Sequence, residues 1–307
     1  DKLRDGIHYD RSWVQQFEQK LDELGVNYID NTQLLQDKRA EGEQVFNKVY
    51  NAGHWNDLGA FYGVNNILES LSGFFPSIQP NELGDFAVTE TLLSSQFPIH
   101  EYEPTFGWLC ELEVKTEEYD AEVAHNSQHR GFGYFVNPEN VAAGAPKTLV
   151  FQGSYMNGMG YKFLQTGLGE YIYVHDYENL MDFDYYFNIF QPECVVVEVA
   201  EYTVNSGYFN AERVENFSLN PVLTLDDAAR QADKQSLAPQ IAEGERLSTL
   251  TVSLPEGTRY AYLLSEGRTF DLIEGEQGWQ ASVEKENLSA DYTVVAVGAD
   301  GEQTRYQ

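Results

Sequence analysis

Two residues in this chain stand where chemistry could be done. Ser154 follows the apolar run Thr148-Leu149-Val150-Phe151 and the pair Gln152-Gly153, and a helix-like stretch, Tyr161 to Leu168, comes soon after. A strand that ends in Gly-Ser and turns into a helix exposes the serine hydroxyl at the carboxyl edge of a parallel sheet, where α/β domains place ligands. The helix aims its first N–H groups at the same spot, ready to stabilise an oxyanion. Gly153 and Gly158 let the backbone approach closely. His54, flanked by Gly53 and Trp55 just ahead of a helix, is the kind of base a serine nucleophile needs near neutral pH. Each residue alone has a plainer explanation: Gly-Ser is common turn chemistry, and a loop histidine often only bonds its neighbours.

The elements that must position the pair are legible in outline. Val14, Phe17, Leu21 and Leu24 recur at helical spacing over 11–24, and Gly25 is placed to cap that helix. Val26 to Asp30 reads as a short strand, 32–44 as a polar helix, and Val45 to Tyr50 as another strand. Asn56 or Asp57 would cap a helix running to about Leu71. Residues 73–145 hold many prolines and read as a hairpin or irregular insertion beside the main domain. Beyond it, 148–151, 170–175 and 194–199 read as strands, with helices at 161–168 and 183–190 between them. Strands apolar on both faces that alternate with helices predict an α/β fold, with a mostly parallel sheet covered by helices on both faces.

The character changes after residue 225. Residues 226–245 read as a polar helix or linker. Short alternating strands follow at 250–254, 260–264, 270–273, 279–283 and 292–297, separated by Gly- and Pro-bearing turns. They predict a small all-β sandwich over 246–307. The expected organisation is therefore an α/β domain over 1–225, a linker over 226–245 and the β module.

Composition narrows the partners. With 49 acidic and 19 basic residues the net charge is −30, a surface that repels phosphate backbones and anionic membranes. Nucleic acid is excluded as a natural partner. No stretch approaches the roughly 20 apolar residues that span a bilayer. Asp1 to Gly6 carry no secretory signal and look like the interior of a longer chain, so an upstream signal or anchor is expected to have been removed. Cys110 and Cys194 form no metal-binding spacing, and Cys194 precedes a valine run in the manner of a buried thiol, with a disulfide left open. His125, His129 and Glu122 could share a metal on a helix, but the intervening Asn126-Ser127-Gln128 is polar loop sequence, so no metal and no cofactor is expected.

Three blocks carry a family resemblance. Tyr50-Asn51-Ala52-Gly53-His54-Trp55-Asn56-Asp57-Leu58-Gly59-Ala60 resembles the Asp-x-His-Trp segment of the SGNH-hydrolase-like alginate O-acetyltransferase family, and more closely its DHHW-motif branch. Leu149 to Tyr155 is similar to that family's strand ending in Gly-Asp-Ser, and Gln191 to Glu201 to its Lys-Pro-Asp-Val-Val-Val-x-Glu strand. The blocks fall in the family's order, with histidine before serine, over roughly residues 10–205. The resemblance implies an SGNH-like, flavodoxin-like fold, with Ser154 as acyl-accepting nucleophile and His54 as general base. It implies an oxyanion hole that includes the Ser154 amide, with help from Asn157.

The sequence departs from the family at three places: Ala52 and Gly153 stand where it has aspartates, and Gly53 where it has the first motif histidine. The missing acid would orient the imidazole, and its loss in a serine protease triad costs on the order of 10⁴ in turnover. Asp57 and Glu198 are the candidates to replace it through space; Asp57 reads equally as a helix cap and Glu198 as a strand-end polar group. The resemblance implies an exported serine acyltransferase or esterase that adds or removes O-acetyl groups on a cell-surface or extracellular polysaccharide, with the glycan and an acyl donor as partners. The alternative is a catalytically degenerate domain of that fold that binds glycan or a protein partner. The β module would be structural, or would bind carbohydrate with Trp279, Tyr260 and Tyr262 as platforms. The sequence leaves the oligomeric state open.

Overall fold

A computed structural model shows a mixed α/β chain, described over residues 11–46, 53–94, 100–123, 129–204 and 220–307. The helices are α1 (Ser12–Leu24), α2 (Thr32–Ala40), α3 (Asp57–Ser72), α4 (Thr116–Asp120), α5 (Pro138–Ala142), α6 (Tyr161–Gly167), α7 (Phe183–Phe190) and α8 (Glu201–Val204). The first seven strands are β1 (Phe86–Ser94), β2 (His100–Trp108), β3 (Glu113–Val114), β4 (Phe132–Val136), β5 (Lys147–Gln152), β6 (Glu170–His175) and β7 (Cys194–Val197). The chain divides into two compact units. One takes the described residues of Asp1–Leu109, Gly153–Gly167 and Glu198–Glu215, and the other those of Cys110–Gln152, Leu168–Val197 and Asn216–Gln307.

In the first unit, α1 ends as its sequence predicts, with Gly25 in the left-handed region at φ 68°. Val26 to Asp30 does not form the expected strand. Strand-prone residues hold that shape only when another strand pairs with them; here Val26, Tyr28 and Ile29 are exposed, and the Asp30 carboxylate accepts from the Thr32 amide at the start of α2. Phe46 makes one antiparallel bridge, to Trp55, and the Val45 carbonyl accepts the Asn56 N–H; residues 47–50 of the predicted strand lie outside the described residues. Asn56 caps α3 by accepting the Gly59 N–H at 2.9 Å. The buried side of α3 meets an aromatic cluster in which Phe61, Phe86, Phe106 and Phe163 touch one another. β1 and β2 form an antiparallel hairpin, with Phe86 opposite Trp108.

In the second unit a five-stranded sheet runs β3-β4-β6-β5-β7. β5 is parallel to both β6 and β7, whereas β4 is antiparallel to β6 and to β3. The sheet is therefore mixed, parallel across β6-β5-β7 and antiparallel where β4 pairs with β3 and β6. Its antiparallel edge comes from 113–136, a stretch the sequence places in an irregular insertion. β4 fits there because Gly133 leaves room for the Tyr173 ring, which a Cβ would meet at 2.3 Å, while Phe135 stacks on that ring. β7 ends the sheet's other edge, with Val195 and Val197 exposed. Leu149, Phe151, Ile172, Val174, Tyr186 and Phe190 form the core between the sheet and α7.

The C-terminal strands are β8 (Arg230–Ala232), β9 (Gln240–Glu243), β10 (Leu247–Val252), β11 (Thr258–Ser265), β12 (Arg268–Asp271), β13 (Ile273–Gly275), β14 (Gly278–Glu284), β15 (Thr293–Gly298) and β16 (Gln303–Tyr306). They make two sheets, β13-β14-β10-β9 and β12-β11-β15-β16-β8. Leu250, Val252 and Val283 of one meet Leu263, Phe270 and Val294 of the other in a single apolar cluster. The polar stretch read as a helix or linker holds a short 3-10 helix, Lys234–Leu237, between β8 and β9. Its polar composition suits edge strands, and each pairs with a stronger strand, β16 and β10. No described helix is long and apolar enough to cross a membrane.

Candidate active site

The first unit brings His54 and Ser154 together. His54 Nε2 lies 2.7 Å from Ser154 Oγ across 100 positions of sequence. Ser154 is exposed and His54 half-buried, so a substrate carbonyl can reach the hydroxyl. At this distance an unprotonated Nε2 accepts the hydroxyl proton, which is the arrangement an activated serine needs.

The immediate sequence neighbours of the pair hold it. Trp55 donates its indole N–H to the Tyr155 carbonyl at 2.9 Å, and the Tyr155 hydroxyl donates to the Gly53 carbonyl at 2.7 Å. The two bonds run in opposite directions between the segments Gly53-His54-Trp55 and Ser154-Tyr155. The Tyr155 ring also lies against the His54 imidazole, with centroids 4.7 Å apart. Trp55 is buried over Gly63 of α3, where a Cβ would come within 2.5 Å of its ring. The sequence marks Tyr155 only as the last residue of the second block; its bond to Gly53 and its contact with His54 are not legible there.

The serine turn leads into a helix whose first bond runs from the Asn157 N–H to the Gly153 carbonyl at 3.1 Å. The amides of Ser154, Tyr155 and Met156 precede that bond and have no partner within the helix. They are the donors an oxyanion would meet. Asn157 is exposed, and its own N–H is already bonded, which leaves only its side chain for the oxyanion role read from sequence. A short π-helical stretch, Met156–Gly160, follows before α6.

Glu198 accepts the Gly153 N–H at 2.6 Å and so fixes the residue before Ser154. Burial pushes its carboxyl up to about 7, against the opposing effect of that hydrogen bond. Asp57 is placed elsewhere. Its carboxylate pairs with Lys162 Nζ at 2.7 Å and accepts the Phe106 N–H at 3.0 Å. The described bonds of both acids thus run to groups other than the imidazole.

Two solved structures resemble the chain. One is a DHHW family protein from Eubacterium siraeum, at 13% identity and a TM-score of 0.48 over 71% of this chain and 79% of that one. The other is PatB1 from Bacillus cereus, at 14% identity and a TM-score of 0.46 over 66% of this chain and 78% of that one. At that similarity neither neighbour assigns an activity to the chain. No family model matches it, and no curated protein does.

Other sequence candidates fall into structural places. Glu122 accepts the Arg246 and Leu247 amides, and His129 stacks on Tyr185 with ring centroids 3.7 Å apart; His125 lies outside the described residues. Cys110 and Cys194 are not joined to each other, so the disulfide left open by the sequence does not link them. Of the three aromatic platforms, Tyr262 is 2% exposed and donates to the Pro221 carbonyl, so it cannot stack on a sugar. Trp279 packs against the module's core, and Tyr260 lies under the Arg259 guanidinium.

Proposed function

We propose that the chain is a serine acyltransferase or esterase that works through Ser154 and His54. The observation that supports this best is the 2.7 Å contact between Oγ and Nε2. Ser154 Oγ attacks the carbonyl of an acyl ester while His54 Nε2 takes the hydroxyl proton. The amides at the head of the following helix receive the developing oxyanion. His54 then returns the proton to the leaving alkoxide, and an acyl-serine remains. A second hydroxyl, from a sugar or from water, enters by the same steps in reverse.

The acyl group is an acetyl and the acceptor or substrate a cell-surface or extracellular polysaccharide, on the strength of the three sequence blocks that resemble the O-acetyltransferase family. On the same ground the parallel strands β6-β5-β7 belong to an SGNH-like α/β domain over 1–225, the C-terminal sheets form an appended sandwich module, and the protein is exported. The test is release of acetate from a chromogenic acetyl ester. The wild type is expected to turn over and Ser154→Ala is not; equal background rates for the two would refute the enzyme.

One observation favours a second proposal, a binding domain that has lost its chemistry. Ala52 stands where the family has its orienting aspartate, and the described bonds of Asp57 and Glu198 serve other groups. Such a protein would bind an acetylated oligosaccharide without releasing acetate.

A further inference from the structure

We infer that Asp57 and Lys162 are positioning residues that set the separation of Ser154 and His54. This rests on the serine–histidine site proposed above. Asp57 is the first residue of α3, three positions after His54, and Lys162 is the second residue of α6, eight positions after Ser154. Their ion pair therefore ties the segment that carries the base to the segment that carries the nucleophile.

The pair is built into the unit's interior. The two side chains are 10% and 12% exposed, and their contact is 2.7 Å. Phe106 of β2 closes a ring around them: its N–H donates to Asp57 Oδ2 at 3.0 Å and its carbonyl accepts from Lys162 Nζ at 3.3 Å. Three chain segments, α3, β2 and α6, meet at one polar knot inside an otherwise aromatic cluster.

A buried ion pair contributes little net stability compared with apolar residues of the same size, whereas breaking it strands a charge. What it supplies here is register. Apolar packing of Phe61, Phe106 and Phe163 tolerates small slides; a lysine reaching one carboxylate oxygen and one carbonyl does not. Displacement of a reacting group by about 1 Å can cost on the order of 100-fold in rate. The tethers beside the dyad fix its orientation, and the Asp57–Lys162 pair fixes the helices behind it.

The test compares Lys162→Met, the double variant Asp57→Asn/Lys162→Met and Ser154→Ala with the wild type. Two quantities are read: the second-order rate of fluorophosphonate labelling per folded molecule, and the nitrogen chemical shift of the His54 ring at one fixed pH. Lys162→Met is expected to label about 10- to 100-fold more slowly. Its His54 ring shift should move in the direction seen for Ser154→Ala, because the Oγ contact is loosened. The double variant should regain thermal stability, with no lone buried charge, yet keep the slow rate and the displaced ring shift. A wild-type rate and ring shift in both variants would overturn the inference. If the wild type never labels but Lys162→Met still displaces the His54 ring shift, the positioning role stands and the acyl-transfer proposal falls; silence with no displacement removes both.

Discussion

The C-terminal sheets and the surroundings of His54 and Ser154 are held together by different physics. The module closes on an apolar cluster in which Leu250, Leu263, Phe270, Val283 and Val294 are 0–1% exposed. Its stability is spread over many non-directional contacts, each replaceable by another apolar residue of similar volume. The dyad is held by a few directional bonds: Trp55 to Tyr155, Tyr155 to Gly53, Gly153 to Glu198 and Lys162 to Asp57. Damage to the first region should therefore lower stability and leave the rate of each folded molecule alone. Damage to the second should change the rate out of proportion to stability.

The largest effect on stability is expected for Phe270→Ala in the module's core, about 3–5 kcal/mol. Denaturant titration would measure it, and the labelling rate per folded molecule should not change. A fall in that rate would break the contrast. Next comes Gly63→Ala on α3. The added methyl would lie 2.5 Å from the Trp55 ring and must displace it, at about 1–3 kcal/mol of overpacking. Since Trp55 adjoins His54, the labelling rate should fall at least tenfold at temperatures where the variant is fully folded.

Glu198→Gln probes the pH dependence. The wild-type carboxyl moves from 4.5 unfolded to about 7 folded, so between those values the folded protein holds a proton that the unfolded chain has lost. Stability therefore falls as pH rises from about 5 to 7, and the loss persists above that range. Glutamine keeps an acceptor for the Gly153 N–H and removes the titration. The difference in denaturation midpoint between pH 5 and pH 8 should shrink in the variant; an unchanged difference would show that Glu198 is ionised normally. The smallest effect is expected for Tyr155→Phe, which loses only the bond to the Gly53 carbonyl, about 0.5–1.5 kcal/mol. Its labelling rate should drop more than its thermal midpoint suggests.

Local signals carried far in this sequence. Gly25, the Asn56 cap, the apolar runs of β5 and β6 and the alternating strands of the C-terminal module are each decided within a few residues, by backbone freedom, a side-chain acceptor or the period of the apolar positions. What stayed hidden depends on distant partners. Val26 to Asp30 has strand-prone residues but pairs with none of the described strands, whereas 113–136 reads as an irregular insertion and 226–245 as a polar helix or linker, and both gain pairing from β6, β10 and β16. At the site, strand chemistry and the three ordered blocks mark Ser154 and His54. Lys162 carries no such mark, and the block that ends on Tyr155 does not show its partner, because a lysine early in a helix and a tyrosine hydroxyl are ordinary until folding sets them against Asp57 and Gly53.

The central claim is that Ser154 is activated by His54. Treating the wild type, Ser154→Ala and His54→Ala with a fluorophosphonate probe, then locating the modified peptide by mass spectrometry, tests it most directly. Labelling of the wild type at Ser154, none in Ser154→Ala and a rate at least 100-fold lower in His54→Ala are the predicted results. An unlabelled wild type, or labelling at full rate without His54, would contradict it.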